Sequence, residues 1–337
     1  MRWNRRCAVT ETTSPEKMSR KQQKKLRVQG LSREERGYLR RKAAADKVWP
    51  LFRFVILFGL SFIILYPLIY MVSCAFRDRS DMSDPTVMWI TRHHTIDVIK
   101  ETMKAMNFWE TLRTTLLLNI GCALVQVISC AITGYGFARF DFRGKKLLFG
   151  IVIMMILVPM QVIALPLYTQ FRFFLGRFNL IDTMWAMYLP AMTGNGIRSG
   201  LMILIFRQFF RGLPKEIEDA AYIDGCGPLR TFIQVMVPNA ASAFLTVFLF
   251  SVVWYWNDYY VSMTFFVHTE TVATMLTNLD SRLGAALFNN ATIQLDEREK
   301  IVWKEAGCLL SIAPLIIMYV FLQKYFTEGI ERSGLVA

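Results

Sequence analysis

The chain has 337 residues, 54% of them apolar and 19% charged, with a mean hydropathy above zero and a formal net charge of +13. Soluble domains average about 45–50% apolar and about 25% charged residues, so a disordered chain is excluded and an ordinary soluble globule is disfavoured. A basic balance suits either nucleic acid or a membrane surface, and the position of the charges separates the two.

Residues 1–48 form a basic extension. Within it, Ser32 and Glu35 stand at capping-box spacing and predict a short basic helix through Arg40, Arg41, Lys42 and Lys47. Such a segment suits anionic lipid headgroups, at roughly 1 kcal/mol per basic residue near the surface. It lacks the aromatic-interleaved signature of a nucleic-acid arm, so no nucleic-acid partner is expected.

A membrane-crossing helix needs about 20 mostly apolar residues. Segments 54–76, 114–138, 147–171, 231–257 and 306–323 are uncharged throughout, and 183–206 is interrupted only by Arg198. The first is too long for a signal-peptide core of about 7–15 residues and reads as a retained helix. Internal prolines and glycines (Pro67, Pro159, Pro166, Pro190, Gly194, Gly196, Gly200, Pro314) are tolerated in membrane helices. The expectation is an all-α, polytopic membrane protein with six transmembrane helices.

Taken alternately from the N-terminus, the connecting segments carry 26 Lys/Arg on one side and 12 on the other, over nearly equal lengths. The positive-inside rule places both termini in the cytoplasm. The six cysteines (Cys7, Cys74, Cys122, Cys130, Cys226, Cys308) include no CxxC, so neither a disulfide framework nor a zinc site is expected. His93 and His94 read as loop surface. No catalytic or metal-binding residue is assigned.

Between the fourth and fifth segments lies a loop, 207–238, with its own helix. Pro214 suits a first helical position, Glu216, Glu218 and Asp219 favour the positive N-terminal end, and Gly225 after Asp224 suits a stop. Ile217, Ala220, Ala221 and Asp224 follow helical spacing and predict one small-residue face, free either to dock a partner or to lie in the interface.

This loop resembles the E-A-A-x(3)-G-x(9)-I-x-L-P signature of the membrane subunits of binding-protein-dependent ABC importers. It stands here as Asp219-Ala220-Ala221, Gly225, then Val235-x-Val237-Pro238, with Asp for Glu at the first position and Glu218 just before it. Ala138-Arg139-Phe140-Asp141-Phe142-Arg143-Gly144-Lys145, Val158-Pro159-Met160-Gln161-Val162, Phe206-Arg207-Gln208-Phe209-Phe210 and Trp256-Asn257-Asp258-Tyr259 resemble the carbohydrate subgroup, the maltose-type second permease.

The resemblance implies a type I ABC importer transmembrane domain over 49–328, with a core at about 109–326 and a short cytoplasmic tail at 329–337. It implies a bacterial-type inner membrane and a second homologous permease subunit. Two cytoplasmic ATPase subunits and an extracytoplasmic solute-binding protein that delivers a sugar complete the implied complex. The helix at 214–225 would couple to an ATPase, and the permease pair would alternate its access by rigid-body motion. No cofactor is expected on this chain. Its sequence has no G-x-x-x-x-G-K-[ST], so ATP and Mg2+ are expected in the partner ATPases.

Polar groups within spans are candidates for the pathway. These are Arg198, in a glycine-rich stretch, and Asn257 and Asp258 with Trp254 and Trp256, which equally suit an interfacial aromatic belt. Two other readings stay open: an ABC permease for a non-sugar small solute, and an ion-coupled secondary transporter. The latter predicts internal repeats and buried coupling carboxylates, and no clear repeat is visible. A membrane-embedded enzyme predicts HExxH or paired intramembrane Asp, and neither is present.

Overall fold

Proline and glycine placement decides where the apolar segments stay whole and where they break. A computed structural model describes residues 32–288, except 83, 85 and 88, and residues 296–334. Most of the predicted basic extension (1–31, with Cys7) and the last three residues of the predicted tail lie outside the described residues. The chain divides into two compact units, one ending at Pro67 and the other beginning at Leu68.

The first helix, α1 (Arg33–Ala75), starts directly after Ser32, as the capping spacing predicts, and contains Pro50 and Pro67. It is not the short basic helix expected. The basic stretch and the first apolar segment form one continuous helix, which runs through Pro50 without a break.

In the second unit, α2 (Arg79–Met82) and α3 (Asp97–Ala105) precede the long α4 (Phe108–Arg139), which contains the whole second apolar segment. The third segment is broken. Pro159 has no N–H to donate and drives Val158 into extended backbone, so α5 (Lys145–Leu157) and α6 (Met160–Arg172) meet at 104°.

The fourth segment is also split, into α7 (Trp185–Met192) and α8 (Ser199–Gly212), with irregular backbone at 193–198 where Gly194 and Arg198 take positive φ. Then follow α9 (Glu216–Ile223) and α10 (Pro228–Asn239), the latter containing a π-helical turn at Phe232–Met236. The fifth segment bends by 80° at Ala240 into α11 (Ala241–Asn257). The remaining helices are α12 (Tyr260–Phe265), α13 (Val272–Thr277), α14 (Leu279–Phe288) and α15 (Glu297–Gly334).

Among the described residues, three helices are long and apolar enough to cross a membrane, or up to five if each bent pair is one span. The described fold is helical, with several apolar spans.

Helix α4 is the axis of the second unit, with half of its apolar window buried. Around one half of it, Tyr135, Met202, Phe206, Phe210, Met236 and Val247 form a core from α4, α8, α10 and α11. Around the other half, Leu118, Cys122, Met187, Tyr255 and Phe265 join α4, α7, α11 and α12. A third core centred on Trp303 packs the end of α1 from Cys74 with α3, α13, α14 and the start of α15.

Small residues let the helices approach. A Cβ on Gly134 would stand 2.6 Å from the Phe206 Cβ, and one on Gly200 would stand 2.9 Å from the Val152 carbonyl. Asn119 Nδ2 donates to the Val252 carbonyl at 2.9 Å, tying α4 to α11 within the buried interior.

Candidate functional site

Residues 213–225 form a short helical element held from beneath. Pro214 keeps Leu213 extended, and α9 ends in a Schellman pattern: Gly225 has φ +81°, Cys226 N donates to Ala221 O at 2.9 Å, and Gly225 N donates to Tyr222 O at 3.0 Å. The helix is eight residues, shorter than the 214–225 expected.

Its inner side is charged and buried. Glu218 Oε2 lies 2.8 Å from Arg139 Nε, with side chains 7% and 6% exposed. Tyr135 Oη donates to Glu218 Oε1 at 2.7 Å, and Arg139 Nη2 donates to the Leu213 carbonyl at 2.8 Å. Tyr135 is itself enclosed by the rings of Phe140, Phe210 and Phe232. The last turn of α4 therefore grips the loop both before α9 and within it.

The outer side mixes small and apolar residues with acidic ones. The predicted face of Ile217, Ala220, Ala221 and Asp224 is divided by this grip: Ala221 is buried with Glu218, Ile217 is half-buried, and Ala220, Asp219 and Asp224 are exposed. Outward with Ala220 stand Ile223 (86% exposed) and, from α10, Leu229 (71%). Beside them a shallow concavity of about 460 Å³ is lined by Gly227, Pro228, Leu229, Arg230, Ile233 and Gln234. Pro238 is exposed two residues before the bend at Ala240. Exposed apolar surface of this kind is available for contact.

The five pathway candidates separate. Arg198 is exposed, and its guanidinium carbon lies 5.9 Å from the ring centre of the half-buried Trp254. Phe250 stacks on Trp254 at 5.9 Å and 22°. Trp256, by contrast, is buried and donates to the Ser311 carbonyl at 3.1 Å, which joins α11 to α15. Asp258 accepts from the backbone of Val261 and Ser262 at the start of α12, and Asn257 donates to Val253 in its own helix. Trp256 and Asp258 thus serve the packing around α11, while Asn257 is exposed and bonded only within its own helix.

A polar knot fixes the break that carries Arg198. Tyr255 Oη donates to Gln126 Oε1 at 2.6 Å, Gln126 Nε2 donates to the Ile197 carbonyl at 2.9 Å, and Ile197 N donates to Tyr255 Oη at 3.3 Å. Ser129 Oγ donates to the Ala191 carbonyl at 2.7 Å. Irregular backbone inside a membrane is tolerated where protein groups satisfy it in this way. Sequence reasoning missed Tyr135, Gln126, Tyr255, Ile223 and Leu229. Gln126 as an uncharged polar residue inside a span was the one available signal.

Residues 130–332 match the model of the family described as binding-protein-dependent transport system inner membrane component. The chain belongs to that family. The match contains the loop at 207–238 and every pathway candidate. Among relatives of this transporter family, the arabinooligosaccharides transport system permease protein AraQ of Halalkalibacterium halodurans is 24% identical over 86% of this chain and 98% of its own length. The maltodextrin transport system permease protein MdxG of Bacillus subtilis is 26% identical over 82% and 92%. A solved bacterial ABC transporter involved in the import of the acidic polysaccharide alginate matches with TM-score 0.67 and 21% identity, over 84% of this chain and 98% of that one. That likeness shows the fold.

Proposed function

We propose that this chain is the permease subunit of an ATP-driven importer and forms half of the pathway for a sugar or oligosaccharide delivered by an extracytoplasmic binding protein. The observation that carries the reading is α9. It is gripped on its inner side by Glu218–Arg139 and presents Ala220 and Ile223 outward. A short helix fixed rigidly to a span is suited to pass motion from a docked protein into the membrane. Relatives named for arabinooligosaccharide and maltodextrin transport support a saccharide as the cargo.

In this reading the docked proteins are two cytoplasmic ATPase subunits, which hold ATP and Mg2+. A second, homologous permease subunit faces Arg198 and Trp254 across the pathway. The chain crosses the inner membrane six times, counting α7 with α8 as one interrupted span, and both termini are cytoplasmic. Arg139, Arg143, Lys145, Lys146, Arg207 and Arg211 cluster in sequence at the ends of α4 and α8 and the start of α5, near α9, which supports that side as the cytoplasm.

The test is purification of the tagged chain with its partners and reconstitution into vesicles. Two ATPase subunits should co-purify, and uptake of a labelled oligosaccharide should require ATP and the binding protein. Uptake by this chain alone, driven by an ion gradient, would sink the reading.

A further inference from the structure

Resting on the reading of this chain as half of a saccharide pathway, we propose that Arg198 and Trp254 form a subsite for a sugar carboxylate, so that the cargo is an acidic oligosaccharide.

Depth comes first. Arg198 directly precedes α8, whose 14 residues end at Gly212. At 1.5 Å per residue it lies about 14 Å from Arg207, the next basic residue of that helix, which is well inside about 30 Å of hydrocarbon. Charged side chains at this depth face a bundle interior or an aqueous cavity rather than lipid.

Charge balance comes second. Arg139, at the end of α4, has its countercharge within the chain in Glu218. Among the described residues no carboxylate is within ion-pair distance of Arg198, whose recorded contact is with Trp254. The cation is exposed, held beside an aromatic face, and lacks an anion.

Backbone geometry comes third. Arg198 sits at φ +58°, a conformation that disfavours side chains with a Cβ, although glycines stand at 194, 196 and 200. The knot of Gln126, Tyr255 and Ile197 fixes that backbone, and Gly196 is packed so closely that a Cβ there would stand 2.3 Å from Tyr255 Oη. The fold thus sustains strain at the residue bearing the unpaired charge.

The chemistry then names the ligand class. A guanidinium presents paired N–H donors that match a carboxylate, whereas a neutral sugar supplies hydroxyls and no countercharge. The neighbouring indole offers a flat apolar surface for a pyranose ring. An acidic sugar satisfies both at once.

The experiment uses the full complex in vesicles, with the binding protein and ATP. Its probes are radiolabelled oligouronates of two to four residues and their neutral methyl esters. The acids should be imported at least tenfold faster than the esters. Arg198→Gln should lower acid uptake at least tenfold while the complex assembles in normal yield. Arg198→Lys should recover part of the loss, and Trp254→Phe should raise the half-saturating concentration severalfold. Import of the esters as well as the acids, import of none of the acids, or undiminished acid uptake by Arg198→Gln would each overturn the proposal. Neutral oligosaccharide import with ATPases attached would overturn it and leave the importer reading intact; failure of ATPases to associate would remove that reading instead.

Discussion

Arg139 Nε and Glu218 Oε2 lie 2.8 Å apart in a pocket that excludes solvent, joining the last turn of α4 to the middle of α9 across 79 residues of sequence. Breaking a buried pair from one side typically costs about 3–5 kcal/mol, because the remaining charge is stranded. Glu218→Ala should therefore loosen α9 without removing its outward face. The expected result is ATPase subunits that still bind and still hydrolyse ATP, with uptake reduced at least tenfold. Arg139→Met should give the same phenotype. The double variant should be less impaired than the sum of the two singles, with a coupling of about 0.5–3 kcal/mol in a thermal-shift cycle. Strict additivity would contradict the pairing.

The two alanines of the loop should behave differently. Ala220 is exposed and Ala221 is buried against the chain, so Ala220→Glu should leave the melting temperature of the isolated subunit unchanged while ATPase co-purification is lost. Ala221→Glu should lower that temperature, because it buries an unpaired carboxylate. Ile223→Glu should resemble Ala220→Glu. Equal thermal effects at 220 and 221 would refute the assignment of the two faces.

Gly196 and Gly136 form a matched pair of tests. A Cβ on Gly196 meets Tyr255 Oη at 2.3 Å and Gln126 Oε1 at 2.4 Å, whereas one on Gly136 in α4 meets nothing within 4 Å. Gly196→Ala should destabilise by about 1–3 kcal/mol, as overpacking does. Gly136→Ala should be neutral or stabilise by up to about 1 kcal/mol through the unfolded chain. Denaturation in detergent reads both.

Asp182 supplies a pH test outside the spans. Its carboxylate accepts from the backbone N–H groups of Val267, His268 and Thr269 at 2.9–3.0 Å. Partial burial pushes the carboxyl up, but those N–H bonds outweigh it and hold the group below the usual carboxylate range. With its folded value depressed, this tie is fully present above the unfolded pKa of about 3.9 and is lost as pH falls through the lower folded value. Amide protection at 267–269, corrected for intrinsic exchange, should be flat from pH 7 to 5 and should fall only in more acidic solution. Asp182→Asn, which keeps a neutral Oδ1 acceptor, should lower the protection and remove its pH dependence, and Asp182→Ala should lose it at every pH.

The apolar runs were legible because hydrocarbon thickness imposes a length on them: α4 and α15 contain their expected segments whole, and α1 contains all of its segment but Phe76. Breaks were less legible. Pro159 bends its segment by 104°, yet Pro67 lies within a continuous helix, and the two differ in surroundings rather than in chemistry. Pro214 and Gly225 bounded α9 to within two residues because capping is local. Which way Glu218 and Asp219 point was hidden, since the partner that draws Glu218 inward is at the far end of α4. Arg198 and Trp254 were each visible as anomalies, but their proximity needed the 55 intervening residues to fold.

The 80° corner at Ala240 gives the chain a mechanical arm. Helix α10, from Pro228 to Asn239, is 12 residues or about 18 Å long and lies across the direction of α11 rather than along it. Tilting such an arm by about 10° displaces its tip by about 3 Å, more than a carbon–carbon contact can absorb without repacking. Because α10 begins beside α9 and ends at the foot of α11, a push at Leu229 is geometrically a crank on α11, which carries Trp254.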